Sequence, residues 1–241
     1  MSERSELSQV VAKLESLNSL DASALDAIYA LPCRIKQVPC GSSIVSDGQL
    51  VSECCFLLQG YACRNKTGSD GGRQIVSFHF PGDILDIQHL FIERADHNVQ
   101  AISDVQLAFV PTSALRAAAQ NHPDLAISLW RDSLIDASVF REWVLNVGRR
   151  DAKKRIAHML CEFAVRAEKA GLGSRACFTL PMTQEQIGDA TGLTPVHVNR
   201  MLRSLTEGGA ISRQGREYRV ADWGMMCRTA DFCEEYLHLA A

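Results

Sequence analysis

One stretch near the end of the chain, residues 183–211, constrains the fold more than any other. It predicts a helix, a tight turn and a second helix. Thr183 and the glutamine three residues later have the spacing of a capping box, which starts a helix. Gly192 is placed to end that helix, because glycine adopts positive φ without a Cβ clash. Thr194 is placed to cap the second helix, and Pro195 suits its first turn, where no backbone N–H is needed.

The second helix, predicted over residues 194–206, has two contrasting faces. One face has the spacing of a buried apolar stripe and comprises Val198, Met201, Leu202 and Leu205. The other face is polar and basic and comprises His197, Asn199, Arg200 and Arg203. A helix-turn-helix presents such a face to the DNA major groove. The pattern therefore predicts a DNA-reading helix, with an ordinary helical hairpin as the alternative.

The net charge of −3 argues against a general nucleic-acid binder, but the charge is unevenly distributed. Within residues 194–219 the arginines outnumber the acidic residues, with Arg200, Arg203, Arg213, Arg216 and Arg219 against Glu207 and Glu217. This surplus lies where a DNA-binding face has to neutralise phosphates. The alternative, for any one of these arginines, is that it lies on an ordinary solvated surface and contacts no phosphate.

The composition is that of a soluble globular protein, with 46% hydrophobic and 22% charged residues. No apolar run reaches the roughly 18 residues of a membrane-spanning helix. The N-terminus is charged and amphipathic, and it lacks the apolar core of a secretory signal. We therefore expect a cytoplasmic protein without membrane contact, whose nine cysteines are reduced thiols.

We call residues 183–211 the reader stretch. Before it, the sequence pattern changes twice. Residues 5–30 have the apolar spacing of helices, with Asp21 placed to cap the second of them. Residues 33–110 contain short β-rich runs separated by glycine-bearing turns, which predicts a sandwich or barrel. A long helix is then predicted over residues 123–148 or so.

This long helix has more apolar surface than one packing partner can cover. A row that alternates three and four residues, as in a two-helix seam, comprises Ile127, Trp130, Leu134, Ala137, Arg141 and Val144. Arg141 interrupts the row. We therefore expect the chain to form a homodimer through this helix.

Asp151 is placed to cap the helix that follows, so we place a domain boundary just before it. Residues 1–150 are predicted to form an effector or sensor domain that includes the long helix. Residues 151–241 are predicted to form a second domain. Two short strands around Gly215 predict the wing of a winged helix, and residues 222–239 are predicted to close the chain as one helix.

This order of elements resembles the Crp/Fnr family of bacterial transcription regulators. The resemblance covers nearly the whole chain and is carried by PGD at residues 81–83, by Asp151, and by TQEQIG…TG.T…VNR.L in the reader stretch. It implies an α+β fold with an N-terminal antiparallel β-roll like that of cyclic-nucleotide-binding proteins, a long dimerisation helix and a C-terminal winged helix-turn-helix. It also implies a homodimer on a palindromic site in double-stranded promoter DNA, with RNA polymerase as a further partner.

In well-studied members of this family, the recognition helix reads bases with a glutamate and, four positions on, an arginine. Here the arginine is present as Arg200, but Val196 stands at the glutamate position, so no acidic group can accept a hydrogen bond from cytosine N4. Valine can instead contact a thymine methyl group, so we expect a different half-site. The predicted DNA contacts are Thr183, Gln184, Thr194, Pro195, Val196, His197, Asn199, Arg200, Arg203, Arg213 and Arg216.

Members that bind cAMP use a glutamate for the ribose and an Arg-Ser pair for the cyclic phosphate. Ile87 stands at the glutamate position and His97-Asn98 at the pair, so cAMP is not expected as the effector. A nearby polar cluster supplies candidates for an unidentified small-molecule effector, namely Asp86, His89, Asp96, His97 and Asn98. The alternative is that these polar side chains only form hydrogen bonds within surface loops or at a contact between domains.

The oxygen-sensing branch of the family binds an iron–sulfur cluster through four cysteines, three of them near the N-terminus. The first 32 residues here contain none, so that cluster is not expected. The histidines in or near the β-rich region, His79, His89 and His97, raise haem or metal binding as an alternative, but we expect no metal site. The adjacent Cys54 and Cys55 should point to opposite faces of a strand. We expect the cysteines to be structural, with a thiol redox switch as the alternative.

Two further function classes compete with DNA reading. One is a protein-interaction or redox-signalling module of the same fold that has no specific DNA binding. The other is a thiol enzyme, which needs a cysteine beside a histidine base. His158 and Cys161 have helical spacing, but Cys161 lies on the inward side of its predicted helix. We predict that the chain is not an enzyme.

Overall fold

The computed structural model describes residues 6–239, which divide into two compact units. The first unit comprises residues 6–66 and 78–137, and the second comprises residues 67–77 and 138–239. None of the helices within the described residues combines the length and hydrophobicity that crossing a membrane requires.

The first part of the chain contains the predicted helices and β-rich runs. In chain order its elements are α1 (Ser8–Leu17), α2 (Ala22–Tyr29), β1 (Arg34–Val38), β2 (Ser43–Val45), β3 (Glu53–Gln59), β4 (Ala62–Thr67), β5 (Arg73–His79), a 3₁₀ helix (Ile87–Leu90), β6 (Asn98–Ala101), β7 (Val105–Pro111), α3 (Thr112–Asn121) and α4 (Pro123–Arg149). The Asp21 carboxylate accepts a hydrogen bond from the Ala24 backbone N–H at 2.7 Å, so the predicted cap of α2 is confirmed.

Strands β1 to β7 form two antiparallel sheets, in the orders β1-β7-β3 and β2-β6-β4-β5. Successive residues of β3 enter two different hydrophobic cores, with Cys54, Phe56 and Leu58 in one and Cys55 and Leu57 in the other. The two adjacent cysteines therefore point to opposite faces, as predicted, and burial raises the pKa of both thiols. Strand β1 was not predicted, because only Val38 of its residues is buried and its sequence shows no alternation.

The second part of the chain contains the predicted winged helix-turn-helix. Its elements are α5 (Ala152–Lys169), β8 (Gly173–Ser174), β9 (Cys177–Thr179), α6 (Gln184–Thr191), α7 (Pro195–Glu207), β10 (Ser212–Gln214), β11 (Glu217–Arg219), α8 (Trp223–Ala230) and a 3₁₀ helix (Glu234–Leu237). The Asp151 carboxylate caps α5, accepting hydrogen bonds from the Lys153 and Lys154 N–H groups at 3.0 Å. A domain boundary directly before Asp151 stays a prediction.

The prediction of one closing helix was wrong. Helix α8 ends at Asp231, whose φ of 51° is left-handed, and a short 3₁₀ helix follows. The turn lets the Tyr236 hydroxyl donate a hydrogen bond to the buried Glu162 carboxylate at 2.7 Å. Trp143 Nε1 donates to the same carboxylate at 3.0 Å. An unbroken helix would lose the hydrogen bond from Tyr236, and removing a partner from a buried carboxylate is costly.

Candidate DNA-binding surface

The two helices of the reader, α6 and α7, are joined by a turn that the local sequence specifies. Thr183 Oγ1 accepts a hydrogen bond from the Gln186 N–H at 3.2 Å, and Gln186 Oε1 accepts one from the Thr183 N–H at 2.9 Å, which confirms the capping box. Gly192 ends α6 with a φ of 67°. Gly188, the last residue of the TQEQIG motif, leaves no room for a larger residue, because a Cβ there would lie 2.4 Å from the Leu193 carbonyl oxygen.

The sequence also determines which face of α7 is exposed. Thr194 Oγ1 accepts a hydrogen bond from the His197 N–H at 3.3 Å, and Pro195 begins the helix, as predicted. Of the predicted inner stripe, Met201 is half-buried, and the fully buried members are Val198, Leu202 and Leu205. On the other side, Val196 is 81% exposed. That side borders a groove of about 400 Å³ lined by Gln184, Pro195, Val196, Asn199, Arg200 and Arg203.

Among the arginines of residues 194–219, three have charges that no carboxylate of the described residues neutralises. Arg200, Arg213 and Arg216 are exposed and make no ion pair with any of residues 6–239. Arg203 and Arg219 are different, because each lies 2.8 Å from a glutamate of its own helix or strand. Within residues 194–219, the unpaired positive charge therefore lies on Arg200, Arg213 and Arg216.

The predicted wing is the hairpin formed by β10 and β11. Gly215 turns the chain with a φ of 59°, and Arg213 and Arg216 lie exposed on either side of it. The buried Tyr218 ring stacks on Phe178 with centroids 5.7 Å apart, which holds β11 against β9. The wing is thus anchored by packing while its arginines stay in solvent.

The structure brings six of the predicted DNA contacts together along the groove and places Arg213 and Arg216 on the wing. Thr183 and Thr194 are exposed caps whose hydroxyl groups accept backbone hydrogen bonds, and His197 is half-buried. The contact of each residue with DNA stays a prediction.

The face of α4 predicted for self-association is exposed. All members of the predicted row are exposed in the single chain, namely Ile127, Trp130, Leu134, Ala137, Arg141 and Val144. Trp130 is 69% exposed, and Leu134 and Val144 are each 56% exposed. Phe140, which was not part of the predicted row, is also exposed. The exposed apolar members of this row form a candidate surface for self-association, which stays a prediction.

The effector candidates in the first unit are mostly buried and do not form a cluster in surface loops. Asp86, His89 and His97 are buried, whereas Asp96 is exposed and Asn98 is half-buried. The rings of His89 and His97 stack with centroids 6.4 Å apart. Within the described residues, no group of three or more histidine, cysteine or acidic side chains is arranged to hold a metal ion.

Most polar atoms of these candidates already have partners. His97 Nδ1 lies 2.6 Å from Asp96 Oδ1, and its Nε2 lies 3.2 Å from an amide nitrogen of Gln88. Burial lowers the pKa of His97, so its ring is neutral near pH 7. Asp86 Oδ2 and His89 Nε2 are the exceptions, since both are buried without a hydrogen-bond partner among residues 6–239. Burial raises the pKa of Asp86.

His158 and Cys161, the pair considered for thiol chemistry, are not in the protonation states that such chemistry requires. Cys161 is fully buried, and burial raises the pKa of its thiol. Burial also lowers the pKa of His158 to about 3. A neutral thiol beside a neutral imidazole lacks the thiolate that nucleophilic catalysis requires. His158 Nε2 instead lies 3.3 Å from Glu142 Oε1.

The exposed basic face of α7, the wing and the β-roll define a DNA-binding protein of the winged helix-turn-helix class. Residues 154–229 match the Crp-like helix-turn-helix domain, and residues 35–122 match the cyclic nucleotide-binding domain. The chain belongs to the Crp/Fnr family and is a DNA-binding transcription regulator. The predicted α+β architecture is confirmed.

Three relatives illustrate the likeness. The nitrogen fixation regulation protein FixK of Azorhizobium caulinodans is 33% identical over 171 residues, which cover 71% of this chain and 68% of the relative. The transcriptional activator protein FnrA of Stutzerimonas stutzeri is 26% identical over 216 residues, covering 89% and 86% of the two chains. The structure of FixK2 from Bradyrhizobium japonicum superposes with a TM-score of 0.77 at 25% identity, covering 84% of this chain and all of FixK2.

Proposed function

We propose that the chain acts as a cytoplasmic homodimer that binds a palindromic DNA site, with one α7 helix in the major groove of each half-site. The observation that carries this proposal is the outer face of α7, where Arg200 is exposed and unpaired beside the groove. A guanidinium group in that position can donate two hydrogen bonds to a guanine. Thr183, Gln184, Thr194 and Arg203 are placed to contact the DNA backbone.

The exposed face of α4 supports the homodimer. A twofold axis along this face would cover the same row of apolar side chains on both copies, as an isologous interface requires. Two recognition helices related by that axis would read half-sites about one helical turn of DNA, or roughly 34 Å, apart. FnrA is named a transcriptional activator. By this likeness, we infer that RNA polymerase is a further partner.

The sensor unit supports an effector other than cAMP, or none. Ile87 packs against the hydrophobic core, so its side chain offers nothing to a ribose hydroxyl. His97 is neutral and hydrogen-bonded, and the half-buried Asn98 donates to Asn65 at 3.5 Å and accepts from the Asp47 N–H at 2.9 Å. The His97–Asn98 pair therefore supplies no cation of its own for a cyclic phosphate.

Titration calorimetry should accordingly detect no binding of cAMP or cGMP, which means a Kd weaker than about 1 mM. A cAMP-binding member of the same family, titrated in the same buffer, is the positive control. Saturable binding of either cyclic nucleotide with a micromolar Kd would show that the polar network rearranges to admit it, and this part of the proposal would fail.

Selection of bound sequences from random double-stranded DNA tests the main proposal. The expected result is enrichment of one palindrome whose half-sites contain a guanine and are centred one helical turn apart. Enrichment of a single asymmetric site would contradict the homodimer. Recovery of unselected sequences would instead favour a protein-interaction or redox-signalling module that has lost specific DNA binding.

A further inference from the structure

Val196 is an unusual residue for the position that it occupies. It is 81% exposed, although it lies in the first turn of a helix whose apolar residues are otherwise mostly buried. Single exposed apolar side chains are common on protein surfaces and need no explanation by themselves. The location of Val196 is what makes it informative, because the first turn of a recognition helix is the part that meets base edges.

The orientation of Val196 is determined by the buried side of α7. Val198, Leu202 and Leu205 pack inward, so the side chains on the opposite side of the helix cannot rotate away from the groove. Arg200 lies four residues after Val196 and therefore on the same face, one turn along. If α7 enters a major groove with this face inward, Val196 and Arg200 both face base edges.

The chemistry of that face restricts what Val196 can recognise. No acidic residue lines the groove, so cytosine N4–H has no carboxylate to donate to. A valine side chain neither donates nor accepts a hydrogen bond. Among the four bases, only thymine presents an apolar group in the major groove, its C5-methyl.

We propose that Val196 is a specificity-determining residue that selects thymine through contact with its C5-methyl group, next to the base read by Arg200. This inference rests on the proposed function, because it requires α7 to lie in a major groove. At position 196, where other members of the family have a base-reading glutamate, the valine would thus favour thymine instead of cytosine. The half-site should therefore contain one thymine that is selected for its methyl group.

Deoxyuridine substitution tests this inference at the level of one methyl group. In the selected palindrome, each thymine is replaced in turn by deoxyuridine, symmetrically in both half-sites, which keeps every base-pair hydrogen bond. At one position the wild-type affinity should fall by about fourfold per half-site, or about sixteenfold for the dimer, as expected for burial of one methyl-sized group. The Val196→Ala variant should lose most of its sensitivity at this position while retaining the other sequence preferences.

The possible outcomes separate this inference from the proposed function. If the wild type binds the palindrome selectively but no deoxyuridine substitution weakens binding, the methyl contact is absent and the inference is wrong. If wild type and Val196→Ala respond equally at the sensitive position, another residue reads the methyl group and the inference is also wrong. If no DNA sequence is selected at all, the proposed function fails first.

Discussion

Replacing Arg200 by alanine is expected to weaken binding to the selected palindrome by on the order of a thousandfold, because a bidentate contact to guanine contributes about 1–3 kcal/mol in each half-site. Weak binding to unrelated DNA should remain and should fall steeply with salt, since Arg213 and Arg216 are still free to contact phosphates. Fluorescence anisotropy with the palindrome and a scrambled duplex, over a range of salt concentrations, measures both effects.

Arg203→Ala is the matched control, because it removes a guanidinium group from the same exposed face of the same helix. Arg203 is already paired with Glu207 at 2.8 Å, and we assign it to the DNA backbone. Its loss should weaken binding to both duplexes by a similar factor and leave their ratio unchanged. If Arg200→Ala also left that ratio unchanged, Arg200 would not be a base reader.

Replacing Leu134 by glutamate is expected to convert the homodimer into a monomer. Leu134 is 56% exposed in the single chain, so the substitution leaves the core of the first unit intact. At a twofold interface it would bury two unpaired carboxylates, and each costs several kcal/mol. Light scattering should show the wild type at twice the 26.5 kDa of the chain and the variant at that single mass.

The same variant should lose affinity for the palindrome by about a hundredfold to ten-thousandfold, because two linked half-site contacts become independent. Ile92→Glu is the matched control, since Ile92 is also an exposed aliphatic residue, at 55%, but lies outside the α4 row. This control should remain dimeric and bind DNA normally. A wild type that is monomeric at micromolar concentration, or a Leu134→Glu variant that stays dimeric, would rule out this interface.

The sequence alone determined those features that depend on residues close together in the chain. The Thr183 capping box, the end of α6 at Gly192 and the cap at Thr194 all involve groups within a few residues of one another. The opposite faces of Cys54 and Cys55 follow from strand geometry in the same way. For this reason the helix-turn-helix and its outward face could be predicted residue by residue.

Other features were decided only by contacts between distant residues. The break at Asp231 serves Tyr236, which reaches Glu162 more than seventy residues earlier. The burial of the polar cluster around His97 depends on how β4, β6 and the 3₁₀ helix pack, since no local pattern specifies it.

Helix α7 shows both the features that local sequence determines and those that distant contacts decide. Its local sequence predicted that Asn199, Arg200 and Arg203 lie on an exposed face, because helical periodicity places them opposite the buried stripe. The Arg203–Glu207 pair at 2.8 Å is equally local, because the two residues lie four apart on the same helix. Whether a distant carboxylate comes within reach of Arg200 depends instead on the tertiary structure, and only the folded domain showed that none of residues 6–239 forms an ion pair with it.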